Sequence, residues 1–189
     1  MAGHGRASAA QGGFILASSH EVTDPDERHL AEQAMNRVFD DPDSEIPFLT
    51  PPDYRCLIFP SIWDLNEHTA ELMFSALREL GESRFFLTVL GRPHKDRRTW
   101  SIGLDDVDQY WRASEHTVNV LYSDNGSWGI RFSEFEVAVV GAWGASAISI
   151  ANHLGDRRSD AEEFASAFAG AGDKSAAVNE VLQFIQPEE

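Results

Sequence analysis

The dipeptide Asn125-Gly126 constrains this chain more than any other local feature. It separates two runs rich in β-branched and aromatic residues, Asn119 to Tyr122 and Trp128 to Phe132. A type I′ turn needs positive φ at both central residues, which Asn and Gly tolerate best, so the pair predicts a β-hairpin. Centring the turn there sets Ser123 opposite Trp128, Leu121 opposite Ile130 and Asn119 opposite Phe132. The other face then pairs Val120 with Arg131 and Tyr122 with Gly129. This alternation predicts an antiparallel sheet with one covered face and one wetter face. Phe135 to Val140 is expected to return as a further strand, and Thr99 to Leu104 to add another.

Around the hairpin the apolar spacing becomes helical. Asp24-Pro25-Asp26-Glu27 reads as a helix start, with a capping carboxylate, proline at the first position and Glu27 placed to reach back. Leu30, Ala31, Ala34, Met35 and Val38 follow at helical spacing until Asp40-Asp41-Pro42. A second helix is signalled by Asp64 and Glu67, runs through Leu72, Met73, Ala76, Leu77 and Leu80, and stops at Gly81, a natural left-handed residue. Cys56 to Phe59 and Phe85 to Leu90 flank it as buried strands, a strand–helix–strand unit whose strands are expected to be parallel. The C-terminal third reads as helical. Ala145 to Leu154 stops at Gly155, Ser159 and Glu162 form a capping box ahead of Ala161, Phe164, Ala165 and Phe168, and Asp173 begins a last helix using Val178, Val181, Leu182 and Ile185. The fold class expected is α+β: a mostly antiparallel sheet with a central hairpin, helices before it and a helical C-terminal third. Residues 1–13 read as a flexible Gly/Ala/Ser-rich tail and 14–189 as a single domain.

Charge narrows the function. The formal net charge is −16, which opposes binding to nucleic acid or to an anionic membrane, so a large charged partner is expected to be a basic protein. Cys56 is the one cysteine, so no internal disulfide can form and a reducing, cytoplasmic home is expected. The apolar run Phe14 to Ala17 is too short for a signal-peptide core or a membrane span.

Motifs that carry chemistry are incomplete. The seven histidines show no His-Glu-x-x-His spacing, and His94 with Asp96, Glu67 with His68 and Glu115 with His116 each supply at most two ligands, so neither a metal nor a cofactor is expected. Gly144-Ala145-Ser146 has the first glycine and serine of a nucleophile elbow but lacks the second glycine. Gly141 to Gly144 is more economically read as close backbone packing, and Cys56 as a buried, inert thiol. Arg84, Arg92, Lys95, Arg97 and Arg98 concentrate positive charge around a turn marked by Gly91 and Pro93. Their guanidinium forks suit phosphate, but no phosphate-binding glycine loop accompanies them, and a solvated loop is the simpler reading.

The acids form two groups. Between Glu21 and Asp53 lie ten acids against Arg28 and Arg37, several explained by helix starts. The second group, Asp105, Asp106 and Asp108, precedes Tyr110 and Trp111. Carboxylates beside a large aromatic suit a basic protein held by charge and anchored by Trp111, whereas a helix start with Trp111 turned inward is the competing reading. Paired carboxylates for glycoside hydrolysis would need a sugar cleft as well.

Trp128 to Phe132 followed by Phe135 to Gly141 resembles the strand hairpins of small acidic α+β immunity proteins, which are bacterial and encoded beside secreted toxins. The resemblance is short and carries over no functional residue. It implies a toxin inhibitor that occludes its target without chemistry of its own. The leading expectation is therefore a non-enzymatic acidic binding protein, in its narrower form such an inhibitor of a basic toxin. The alternatives are a small hydrolase or nucleotide-binding enzyme using Arg92 to Arg98 or Ser146, and an assembly protein that offers its hairpin edge to another strand.

Overall fold

The computed structural model describes residues 18–61, 64–90, 93, 96–114, 117–169 and 175–185. The elements run β1 (His20–Glu21), α1 (Pro25–Val38), β2 (Tyr54–Ile58), α2 (Glu67–Glu79), β3 (Arg84–Val89), β4 (Thr99–Gly103), α3 (Val107–Ala113), β5 (Asn119–Tyr122), β6 (Trp128–Phe132), β7 (Ala138–Ala142), α4 (Gly144–Leu154), α5 (Arg158–Ala167) and α6 (Ser175–Ile185). All seven strands form one sheet in the order β1-β4-β3-β5-β6-β7-β2, each neighbouring pair antiparallel. The class is α+β. The tail proposed for residues 1–13 and the helix start at Asp173 lie outside the described residues.

Strands β5 and β6 pair in the register Val120↔Arg131, Leu121↔Ile130 and Tyr122↔Gly129. The connection differs from a two-residue type I′ turn. Gly126 is left-handed at φ +78°, but Asn125 is not, since among the described non-glycine residues only Glu136 has positive φ. Gly126 N–H donates to Ser123 O at 3.4 Å and Ser123 N–H to Trp128 O at 3.2 Å. The loop thus spans Asp124 to Ser127, the longer form built on an ordinary turn and one left-handed glycine. The Ser123 hydroxyl accepts from Ser127 N–H at 2.7 Å, and Asn125 Oδ1 accepts from the same N–H at 2.9 Å. Both loops are centred on the same residue pair, so the register is unchanged.

The helix ends follow local chemistry. Asp24 caps α1 by accepting from Asp26 and Glu27 N–H at 3.0 and 3.1 Å, and Ala31, Ala34, Met35 and Val38 form its buried stripe. Leu30, one residue off that stripe, is 54% exposed. The cap of α2 is Asn66, which accepts from Thr69 N–H at 2.9 Å, and not Asp64. Gly81 closes α2 at φ +77°, with Gly81 N–H on Arg78 O and Glu82 N–H on Leu77 O, a Schellman ending. The capping box expected at Ser159 does not form: Ser159 lies inside α5, whose N-cap is Arg157 without a side-chain cap bond, and Asp156, one residue earlier, accepts from Arg158 N–H at 2.9 Å. Strands β2 and β3 do run in the same direction, but β5, β6 and β7 stand between them, so they do not pair.

The wetter face expected for the hairpin is instead covered. One side of the sheet packs Leu121, Ile130, Phe132 and Val140 against Met73, Phe74, Tyr110 and Ile150 of α2, α3 and α4. On the other side α1 covers Phe86, Val120 and Tyr122, while Phe164 of α5 and Val178 and Val181 of α6 cover Leu57, Val137 and Val139. Close approach on this second side depends on Gly129 and Gly141, which are paired across β6 and β7. A Cβ on Gly129 would overlap Val38 and lie 2.7 Å from the Phe39 ring, and one on Gly141 would lie 2.7 Å from Phe48. The Gly141 segment is therefore close packing, as its sequence suggests.

Candidate functional site

Helix α3 carries the acid–aromatic segment. Asp106 caps it, accepting from Gln109 N–H at 3.2 Å, so its carboxylate is committed to the helix start. Asp105 is exposed and lies 3.3 Å from Arg78. Asp108 is exposed in the first turn. Tyr110 is buried: its hydroxyl accepts from Leu65 N–H at 2.8 Å, and its ring packs on Phe74 and Phe85. Trp111 is half-buried, packed on the same core with its ring 4.5 Å from that of Tyr110. Asp108 and Trp111 stand three residues apart, the spacing that shares a helix face, the first exposed and the second partly so.

The first acid group has a different use. Glu21 receives Arg98 at 3.0 and 2.8 Å, Glu27 receives Arg84 at 3.1 Å, Asp43 receives Arg97 at 2.8 Å, and Glu45 lies 3.5 Å from Arg131. These acids are counter-charges to arginines far along the chain. Arg97 and Arg98, two members of the basic cluster, are thereby engaged, which removes their guanidiniums from a phosphate site; Arg92, His94 and Lys95 lie outside the described residues.

The other candidates resolve into packing. The Ser146 hydroxyl donates to Ser127 Oγ at 2.8 Å, tying α4 to the hairpin loop, and Gly144 N–H donates to Asp53 at 2.7 Å. Cys56 is buried, and that burial pushes its thiol up to about 12. Among the described residues no three His, Cys, Asp or Glu side chains gather as a cation would require, and none of the described helices is long and apolar enough to cross a membrane. The hairpin offers no free edge, because β3 pairs along β5 and β7 along β6. At the end of edge strand β2, Leu57 is fully buried and Phe59 N–H, just past the strand, donates to Asp160 of α5 at 3.2 Å, so a helix covers that end of the edge.

Two features escape the sequence. One is a cleft of about 230 Å³ beside β2, lined by Arg55, Arg157 and Arg158; their spacing along the chain gives no hint that they meet. The other is Glu82, just past the end of α2, whose carboxylate accepts from Trp128 Nε1 at 3.2 and 3.1 Å. Burial pushes it up to about 7, partly offset by the indole and reinforced by Asp124. Because the folded state then holds the proton more tightly than the unfolded chain, stability falls as pH rises from about 4.5 to about 7 and levels off above. Glu82→Gln keeps an acceptor for the indole and is expected to be more stable than the parent at pH 8 by of order 1–2 kcal/mol, less than a full conversion because the group is partly exposed. The two should have the same urea midpoint near pH 4; a constant difference across pH would refute the assignment.

Compared with protein-family models, with curated proteins and with solved structures, the chain matches none.

Proposed function

We propose that the protein is a non-enzymatic binding protein for a basic protein partner, in its narrower form an immunity-type inhibitor of a basic toxin domain. The observation that supports this reading is the direction in which charge is spent. Arg84, Arg97, Arg98, Arg131 and Arg157 are at most partly exposed and each is paired with a carboxylate, whereas Asp26, Glu32, Glu71, Asp108, Glu162 and Glu163 are exposed. Arg28, Arg37, Arg78, Arg112 and Arg158 stay exposed, but a chain of charge −16 that pairs Arg84, Arg97, Arg98, Arg131 and Arg157 with its own carboxylates still presents a net negative field that draws in and orients a basic partner. Asp105 and Asp108 with the open edge of Trp111 are the proposed contact.

The test is capture of the partner on the immobilised full chain, its identification, and association kinetics. The partner should be basic. Its association rate should fall about tenfold or more as salt rises from about 0.01 to 0.15 M, over which the screening length shortens from roughly 30 to 8 Å. Asp105→Lys with Asp108→Lys should slow association at low salt, and Asp106 is left intact because it caps α3. Trp111→Ala should mainly speed dissociation. An acidic partner, or rates indifferent to salt and to charge reversal, would overturn the reading.

A further inference from the structure

We propose that the cleft beside β2 binds a small organic anion: one carboxylate or phosphate group on an apolar body. It lies between the outer edge of β2, the turn from α4 to α5 and the end of α6, and its volume of about 230 Å³ equals roughly eight waters at ~30 Å³ each, the size of a substituted benzoate.

The case rests on how charge is arranged around it. Three arginines, Arg55, Arg157 and Arg158, line one small cleft together with Asp156 in a chain of strongly negative charge. Two carboxylates adjoin them, and both are committed to backbone amides: Asp156 accepts from Arg158 N–H at 2.9 Å and Asp160 from Phe59 N–H at 3.2 Å. Arg157 is 3.4 Å from Asp160, and Arg158 only reaches Asp156 at 4.0 Å. Arg55 has no carboxylate partner among the described residues; its guanidinium stands 5.7 Å above the Phe184 ring. Arg157 also donates Nε to Leu154 O at 3.2 Å, so the cleft keeps one net positive charge and its open donors, in the fork geometry that carboxylate and phosphate match, belong chiefly to Arg55 and Arg158. Neither Cys56 nor Tyr54 adds negative charge, since burial raises both, and the Tyr54 hydroxyl already donates to Gly155 O at 3.1 Å. Ala161 and Ile185 supply the apolar wall. Repulsion from the acidic surface does not cancel the attraction, because charges beyond about 8 Å are screened at physiological salt while a bound anion would touch the guanidiniums.

Calorimetric titration of the full chain with benzoate, phenyl phosphate, benzyl alcohol and inorganic phosphate tests this. At least one of the first two should bind saturably, their ratio identifying the head group, and more tightly than the neutral alcohol or the bare ion by about tenfold or more. Arg55→Gln should weaken that binding by about tenfold. Arg158→Gln, at a side chain 75% exposed, keeps the test open should the first variant fail to fold, and should weaken binding several-fold. No saturable binding, equal binding of benzyl alcohol or inorganic phosphate, or undiminished affinity in a folded arginine variant would each overturn the proposal. None of these measurements involves the proposed protein partner, so the two readings stand or fall separately.

Discussion

Replacing Arg131 with methionine is expected to cost about 3–5 kcal/mol of stability, the range for removing one member of a buried charged network. Arg131 is only 4% exposed. Its Nε donates to Pro42 O at 3.1 Å, one Nη to Asp43 O at 3.1 Å and the other to Phe132 O at 2.6 Å. Glu45 completes the set at 3.5 Å, and its second oxygen is buried without a hydrogen bond among the described residues. Methionine fills much of the volume but would leave three carbonyls and a carboxylate without this donor, and an unpaired buried acceptor carries its full desolvation cost. Adding Glu45→Gln should recover part of the loss, because the stranded charge is then gone. Urea unfolding of both variants measures this, and a loss under about 1 kcal/mol for Arg131→Met would show that the 42–45 segment does not depend on that fork.

Gly129→Val should be comparably severe, at about 3 kcal/mol or more, toward the upper end for overpacking. Its Cβ would fall on Val38 and Phe39, both nearly inaccessible, so α1 must shift or the strand must bend. Val38→Ala in the same chain should return part of the cost by opening the space. Gly81→Ala is the control: nothing lies within 4 Å of its Cβ position, so only the left-handed backbone is penalised, about 1–2 kcal/mol. If the two glycine variants lose equal stability, steric contact with α1 is not what fixes Gly129.

What could be read from the sequence was local. The pattern around Asn125-Gly126 gave the register of β5 and β6 because strand alternation allows only one apolar-in solution there, while the turn type depended on the Ser123 hydroxyl and was not visible. Asp24 and Gly81 marked helix ends because each acts on backbone groups within a few residues. The covered second face was hidden for the opposite reason: Val120, Tyr122 and Arg131 look half-polar until α1 and the acidic segment after it fold across them. Arg131 reads as a solvent residue from its neighbours and becomes a core residue through Pro42 and Asp43, far away in sequence. The same distance concealed the candidate sites. Asp105, Asp106 and Asp108 could be found as a run, though only the structure separates the capping Asp106 from the exposed pair. The cleft arginines belong to β2 and to the start of α5, and no periodicity links them.

Strand β2 ends the sheet and pairs with β7, Tyr54 meeting Ala142. For a chain made from its N-terminus, its first long strand must wait for almost half the protein to emerge before it has a neighbour. At roughly 5–20 residues per second that delay is of order ten seconds, long against hairpin formation in about 1–10 μs. Throughout it the run from Cys56 to Phe59 stays unpaired and apolar, so the growing chain should be most vulnerable to aggregation, and most exposed to chaperones, between synthesis of β2 and of β7. A version permuted to begin after Ile58, carrying β2 behind α6, would remove that wait.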